Sequence, residues 1–260
     1  MFWLHEEDLP PGVGSEPFCA AHLAYLVVFL ALTVAYALFY KKQDEARRKK
    51  ADRAVGAAVF LFGLFEYGVT ALIGRFSLYT LPIHICSLML FLIPLHAGTG
   101  GARPGSFAAR LHRFLGAVVF HPGILGAWAA LLFPDWLRAY PFWNYLSVAG
   151  FMEHGLISLY GASILVKDAE APEPKRLLLC DLRDSSLFLL VGAALMYRFD
   201  RAVGADYWFL AGPSVGSPFE AVFASGGYRT YLLALALSAA LVTALWYALR
   251  YFLFVRKRPE

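Results

Sequence analysis

Seven long apolar segments constrain what this chain can fold into. Each approaches the roughly 20 residues that an α-helix needs to cross the hydrocarbon core of a bilayer. Because backbone polar groups in lipid must be satisfied within the segment itself, the pattern predicts an all-α polytopic membrane protein, a bundle of about seven transmembrane helices. Composition agrees, since 59% of the residues are hydrophobic and only 16% are charged. The predicted spans are 18–40, 54–74, 80–97, 111–133, 143–166, 177–199 and 230–254.

Basic residues predict how the bundle is oriented. Of the 23 Lys and Arg residues, 17 fall in four segments that seven spans place on one side, and five fall on the other side. The positive-inside rule therefore predicts an outside N-terminus and a cytoplasmic C-terminus. The chain divides into an extracytoplasmic segment (1–17), a transmembrane domain (18–254) and a cytoplasmic basic tail (255–260).

The charge and the cysteines exclude several classes of function. The net charge of +4 needs no nucleic-acid partner, because basic residues beside a membrane helix set topology and attract anionic lipid. No CxxC pair is present among the three cysteines, so we expect no metal site and no cofactor. Cys19 and Cys86 both fall near the outer ends of their spans, which leaves a disulfide between them open.

Polar residues inside the spans indicate which helix faces point into protein or water, because lipid exposure would cost several kcal/mol. In the fifth span a small or polar stripe recurs at intervals of three and four residues and directs His154 toward the bundle interior. The second span directs Glu66 inward in the same way. In the fourth, His121 precedes Pro122 and predicts a kink. The fifth-span stripe consists of Asn144, Ser147, Phe151, His154, Ser158 and Gly161.

A cysteine and a histidine lie close together in the stretch "TLPIHICSLMLFL", residues 80–92. Thr80 can cap the third helix and Pro82 suits its first turn, so we expect Cys86 in the second turn. His84 would then point about 200° away around the helix, so the two side chains should not share a partner. A base for Cys86 must come from another helix.

His154 is the best candidate for that base. It enters the membrane from the same predicted side as Cys86, and at about 1.5 Å rise per residue the two differ in depth by only several ångströms. A thiol in apolar surroundings needs an imidazole to take its proton before it can act as a nucleophile. The alternative is that Cys86 only packs and that His154 only bonds a neighbouring helix.

Five short motifs carry a resemblance to a known family over about residues 54–254. The chain resembles the YwaF-like bacterial membrane proteins, a family that also includes a vertebrate transmembrane acyltransferase of polyunsaturated ether phospholipids. More distantly it resembles the androgen-induced transmembrane hydrolases, which use a Thr–His pair on lipid esters. The motifs are "LPIHICSLMLFL", "GAWAALLFPD", "FMEHGLISLYG", "DYWFLAGPSVGSPFE" and "GYRTYLL".

The resemblance implies a catalytic pair at the positions of Cys86 in "HICS" and His154 in "EHG". It also shows a departure, because relatives have Asn where this sequence has Asp206 before Tyr207. This change affects the predicted outer loop 200–229 and the acceptor that the loop would help to bind.

These observations predict an intramembrane lipid acyltransferase or acyl-ester hydrolase that works through an acyl thioester on Cys86. Membrane phospholipids would be donor and acceptor, and the membrane would be the bacterial cytoplasmic one. His84 and Tyr207 are candidates to stabilise the oxyanion. Two other classes stay open: a small-solute or proton-coupled transporter, and a non-catalytic bundle. The sequence carries no signal for an oligomeric state. A supporting buried polar network would contain Glu66, His121 and Asp184.

Overall fold

The computed structural model describes residues 1–214 and 216–255, and those ranges contain helices and no strand. The basic residues of the predicted tail, 256–260, lie outside the described residues. Short 3₁₀ or π turns occupy Glu6–Asp8, Leu78–Thr80, Val119–Gly123 and Tyr251–Val255. The α-helices are α1 (Ala20–Lys41), α2 (Glu45–Leu72), α3 (Ile85–Thr99), α4 (Phe107–Val118), α5 (Ile124–Leu132), α6 (Trp136–Ala139), α7 (Tyr145–Glu170), α8 (Pro174–Val203) and α9 (Phe219–Arg250).

Several helices are suited to crossing a membrane. Within the described residues, five helical stretches are long and apolar enough: α1, α2, the run from α4 to α6, α7, and α9 with the turn that follows it. The third predicted span corresponds to α3, which has only 15 residues. The sixth corresponds to α8, which carries charged residues in its first half. The chain is therefore a multi-pass membrane protein, and the number seven stays a prediction.

Two helices, α2 and α9, begin earlier than predicted. α2 begins at Glu45 rather than near residue 54, because the Asp44 side chain accepts a hydrogen bond from the backbone N–H of Arg47 at 2.8 Å. Most of the predicted loop 41–53 is thus helical. At the other end of the chain, α9 begins at Phe219 and is interrupted at Gly227, whose φ of 70° favours glycine.

The centre of the bundle is α7, which packs against α1, α2 and α5. Two glycines allow this close approach. A Cβ atom at Gly155 would lie 2.2 Å from a ring carbon of Phe29 in α1, and one at Gly161 would lie 1.9 Å from Cδ1 of Ile124 in α5. The predicted inward stripe is confirmed, since all six of its residues are buried. The burial is broader than predicted, because α7 is covered on nearly every side.

The kink predicted near Pro122 is confirmed as a π-helical turn, Val119–Gly123, between α4 and α5. Pro122 has no N–H to donate to the helix ladder, which accounts for a local change of hydrogen-bond pattern. All five residues of the turn are buried, so the irregular backbone lies inside protein.

A buried cation joins the last three long helices. Arg250, at the end of α9, donates from Nη2 to Asp168 of α7 at 2.6 Å and to Asp181 of α8 at 2.9 Å. Its guanidinium also lies 4.5 Å from the ring centroid of Phe120. Removing the arginine would leave two buried carboxylates without their counter-charge. The outer surface of α9 otherwise fits the lipid-facing wall that its apolar sequence predicts.

Candidate functional site

A cavity of about 350 Å³ gathers most of the side chains that the sequence singles out. It lies between α2, the start of α3, the connection around α6, and α7. Four of the seven predicted site residues line it, namely Glu66, His84, Cys86 and His154. Further lining residues include Tyr67, Thr70, Thr80, Ser87, Asp135, Trp136, Tyr140, Gly150, Glu153 and Phe209.

Cys86 lies in the first turn of α3, not in the second as predicted. The helix begins at Ile85 because Thr80 is used elsewhere: Ser77 and Thr80 cap the separate short turn Leu78–Thr80. A helix N-terminus presents unpaired N–H groups, and Cys86 lies among the first residues of this one. Gly126 of α5 leaves room for the sulfur, since a Cβ atom there would lie 3.1 Å from Sγ of Cys86.

His84 also faces the cavity, which corrects the prediction that it points away from Cys86. The 200° rotation assumed that both residues are helical, whereas His84 is the residue that precedes α3. Its ring lies 5.2 Å from that of Tyr207 and 5.9 Å from that of Phe209, centroid to centroid. These contacts place the imidazole between the cavity and the loop that contains Tyr207 and Phe209.

His154 is held in a defined orientation on α7. Its Nδ1 lies 2.6 Å from the carbonyl oxygen of Gly150, so Nδ1 carries the proton and donates it in the neutral ring. Its ring stacks on Trp136, with centroids 5.4 Å apart and planes 15° apart. The other nitrogen, Nε2, is then the basic one. In the described part of the chain no direct hydrogen bond joins it to Cys86, although both line one cavity.

The cavity is acidic, and one of its carboxylates was missed by the sequence reasoning. Glu153 lies next to His154, is 3% exposed, and has an Oε1 atom without a hydrogen-bond partner among the described residues. With Glu66 and Asp135 it makes three carboxyl groups, while the described lining contains no Lys or Arg. A charged residue in an apolar helix is itself a signal of function, and "MEHG" shows it.

No set of three or more His, Cys, Asp and Glu residues is arranged to hold a metal ion within ranges 1–214 and 216–255. All three cysteines are free, so the disulfide left open between Cys19 and Cys86 does not form in this structure. Cys86 therefore carries a free thiol. The other side chains that line the cavity are its neighbours.

The N-terminal segment packs against one end of the cavity. Asn144, at the start of α7, donates from Nδ2 to the carbonyls of Met1 at 3.1 Å and Leu4 at 2.8 Å. The hydroxyl of Tyr140 accepts from the backbone N–H of Glu6 at 3.3 Å. Burial raises the pKa of Tyr140 to about 12, which keeps this phenol neutral. These bonds hold the segment in place, and His5 from this segment lines the cavity.

The predicted outer loop packs on the start of α3. Trp208 donates from Nε1 to the carbonyl of Ile83 at 2.9 Å. Asp206 accepts from the backbone N–H groups of Leu210 at 2.7 Å and Gly212 at 2.9 Å. The Asp206 carboxylate therefore organises the loop through its two acceptor oxygens. Tyr207 is buried beside His84 but does not line the cavity.

The remaining two predicted residues lie elsewhere. His121 is buried in the π turn, 5.3 Å from the ring of Tyr247, and neither of its ring nitrogens has a partner in the described residues. Asp184 accepts from Arg183 at 2.8 Å and lies 3.6 Å from Arg113. The structure does not bring Glu66, His121 and Asp184 into one network, because Glu66 lines the cavity while the other two have neighbours elsewhere.

The fold and the cavity define a class, a multi-pass helical integral membrane protein with a Cys- and His-lined cavity between its helices. The chain matches the TMEM164 family over residues 17–248, most of its length, and it belongs to that family. No curated protein and no solved structure gives a significant match.

Proposed function

We propose that this chain is an intramembrane lipid acyltransferase or acyl-ester hydrolase that uses Cys86 and His154. The observation that carries the proposal is their convergence: two helices far apart in sequence bring a free thiol and an oriented imidazole to one cavity. The proposal includes a relationship to the YwaF-like proteins and the ether-phospholipid acyltransferase, based on the motifs that contain both residues. Membrane phospholipids are the proposed donor and acceptor.

The first half of the reaction forms a thioester. Nε2 of His154 takes the thiol proton as Sγ of Cys86 attacks the carbonyl carbon of a lipid ester. The tetrahedral intermediate collapses, the C–O bond breaks, and His154 returns the proton to the leaving oxygen of the lysolipid. The Gly150 carbonyl stabilises the imidazolium through Nδ1–H, as an orienting group does in a triad.

The second half releases the acyl chain. A lysolipid hydroxyl or a water molecule gives its proton to His154 and attacks the thioester carbonyl. The C–S bond breaks, and the departing thiolate receives the proton from His154. A hydroxyl acceptor makes the protein a transferase, and water makes it a hydrolase.

The experiment that tests this function follows the acyl chain. Purified protein is incubated with a panel of diacyl, ether and lysophospholipids that carry a tagged acyl chain. We expect the protein to become labelled and neutral hydroxylamine to release the label, since it cleaves thioesters and spares amides. A transporter or a non-catalytic bundle would give no covalent label with any lipid of the panel, and that result would exclude the proposed function.

The proposal places the chain in the bacterial cytoplasmic membrane with seven spans, the N-terminus outside and the C-terminus inside. Epitope tags at the two ends of the chain test this in intact cells. We expect an impermeant reagent to reach the N-terminal tag and to reach the C-terminal tag only after lysis, because 17 basic residues fall on the predicted inner side. Both tags on one side would contradict the seven-span arrangement.

A further inference from the structure

Trp136 presents an unused hydrogen-bond donor beside the proposed base. The residue begins α6 and lines the cavity with Cys86 and His154. Its Nε1–H is buried and has no hydrogen-bond partner among the described residues. A buried donor without a partner is rare in folded proteins because it loses its hydrogen bonds to water, so its presence calls for an explanation.

The surroundings of Trp136 fix where this donor lies. The Asp135 side chain accepts from the backbone N–H of Trp136 at 2.8 Å and caps α6. The indole stacks on the His154 ring, and its edge meets Phe151 with centroids 5.8 Å apart. The indole that carries the donor therefore lies directly beside the proposed base.

Gly150 of α7 lies against the indole edge that carries the N–H. A Cβ atom at this position would lie 3.1 Å from Cε2 and 3.5 Å from Nε1 of Trp136. The carbonyl of the same glycine accepts from Nδ1 of His154. One residue thus packs against the indole edge that carries the donor and also orients the base.

We propose that the Nε1–H of Trp136 donates a hydrogen bond to the carbonyl oxygen of the lipid ester and stabilises the oxyanion of each tetrahedral intermediate. This inference rests on the proposed acyl transfer through Cys86. As Sγ attacks, the carbonyl π electrons move to oxygen, and a neutral N–H held beside that oxygen stabilises the charge without transferring its proton. When the intermediate collapses, the oxygen becomes a carbonyl again and the hydrogen bond weakens.

A partnerless N–H alone does not define such a role, and the protein contains a comparison. Trp246 of α9 also has a buried Nε1 without a hydrogen-bond partner among the described residues. Its ring packs on Phe120, 5.3 Å away, and it does not line the cavity. Of the two tryptophans, Trp136 is the one that lines the cavity together with Cys86 and His154, so Trp246 supplies the matched control.

The test compares Trp136→Phe with Trp246→Phe. Phenylalanine keeps an aromatic face against His154 but removes the N–H. We expect Trp136→Phe to slow thioester formation in a single turnover by about 10²–10³-fold, the effect of losing one oxyanion donor. Trp246→Phe should retain the wild-type rate. Reaction of Cys86 with a small alkylating probe, which forms no oxyanion, should proceed equally in all three proteins.

The outcomes separate this inference from the function on which it rests. Thioester formation at the same rate in the wild type and in Trp136→Phe would overturn the oxyanion role. The acyltransferase proposal would still stand. Equal slowing of acylation and alkylation in Trp136→Phe would show that the indole only shapes the site, which also overturns the role. No thioester on the wild-type protein with any lipid would overturn both.

Discussion

Replacing Cys86 with alanine is expected to abolish thioester labelling of the protein by tagged phospholipid. Cys86 is the only cysteine among the described lining residues of the cavity, and alanine leaves the first turn of α3 intact. The neighbouring hydroxyl of Ser87 already accepts a hydrogen bond from Tyr67 at 3.1 Å. The measurement is the hydroxylamine-released label per mole of folded protein.

Matched controls for this prediction come from the other two cysteines. Cys19→Ala and Cys180→Ala remove free, partly exposed thiols of the same kind and should keep wild-type labelling. Cys86→Ser should keep at most a trace of label, and that label should resist neutral hydroxylamine because it is an oxygen ester. Hydroxylamine-released label that persists in Cys86→Ala would assign the thioester to another cysteine.

Replacing His154 with alanine should slow acylation of Cys86 by about 10²–10⁴-fold, the usual contribution of a positioned general base. The expected loss arises because Nε2 is the nitrogen left to accept the thiol proton once Nδ1 donates to Gly150. The measurement is the single-turnover rate of thioester formation. A lipophilic thiol-reactive probe provides a second readout, and its reaction with Cys86 should slow in the same variant.

The control for His154→Ala is His121→Ala. Both histidines are buried, but His121 lies in the π turn away from the cavity. This variant should acylate at the wild-type rate per folded molecule. Equal probe reactivity at Cys86 in wild type and His154→Ala would show that the histidine does not activate the thiol.

The parts of the fold that sequence reasoning predicted are those set by hydropathy and helical period. The central position of α7 follows from its run of small and polar residues, which only a protein interior can accept. The kink at Pro122 follows from a missing N–H. Cys86 and His154 could be expected near one another because depth in the membrane can be estimated from a sequence, and both line one cavity.

The start of α3 could not be predicted because Thr80 can cap α3 or close a separate turn with Ser77. Thr80 is a good cap, and Pro82 is a good first-turn residue. Ser77 and Thr80 instead close their own turn, so the helix begins at Ile85. A shift of a few residues was enough to turn His84 from a side chain expected to face away into one that lines the cavity.

Trp136 and Glu153 were missed for different reasons. Trp136 falls between two predicted spans, and its partnerless N–H exists only because tertiary packing covers it. Glu153 could have been predicted from the sequence, since a carboxylate in an apolar helix is costly wherever it points. The predicted inward stripe covers one face of α7, and Glu153 lies outside it, whereas burial extends around the helix.

The most direct test of the Cys86 thioester is mass spectrometry of the wild-type protein after brief exposure to tagged phospholipid. We expect the intact mass to increase by one acyl chain and the added mass to map to the peptide that contains Cys86. Treatment with neutral hydroxylamine should restore the original mass. An acyl chain that maps to a different residue, or an unchanged mass after exposure to the whole lipid panel, would contradict the proposed thioester on Cys86.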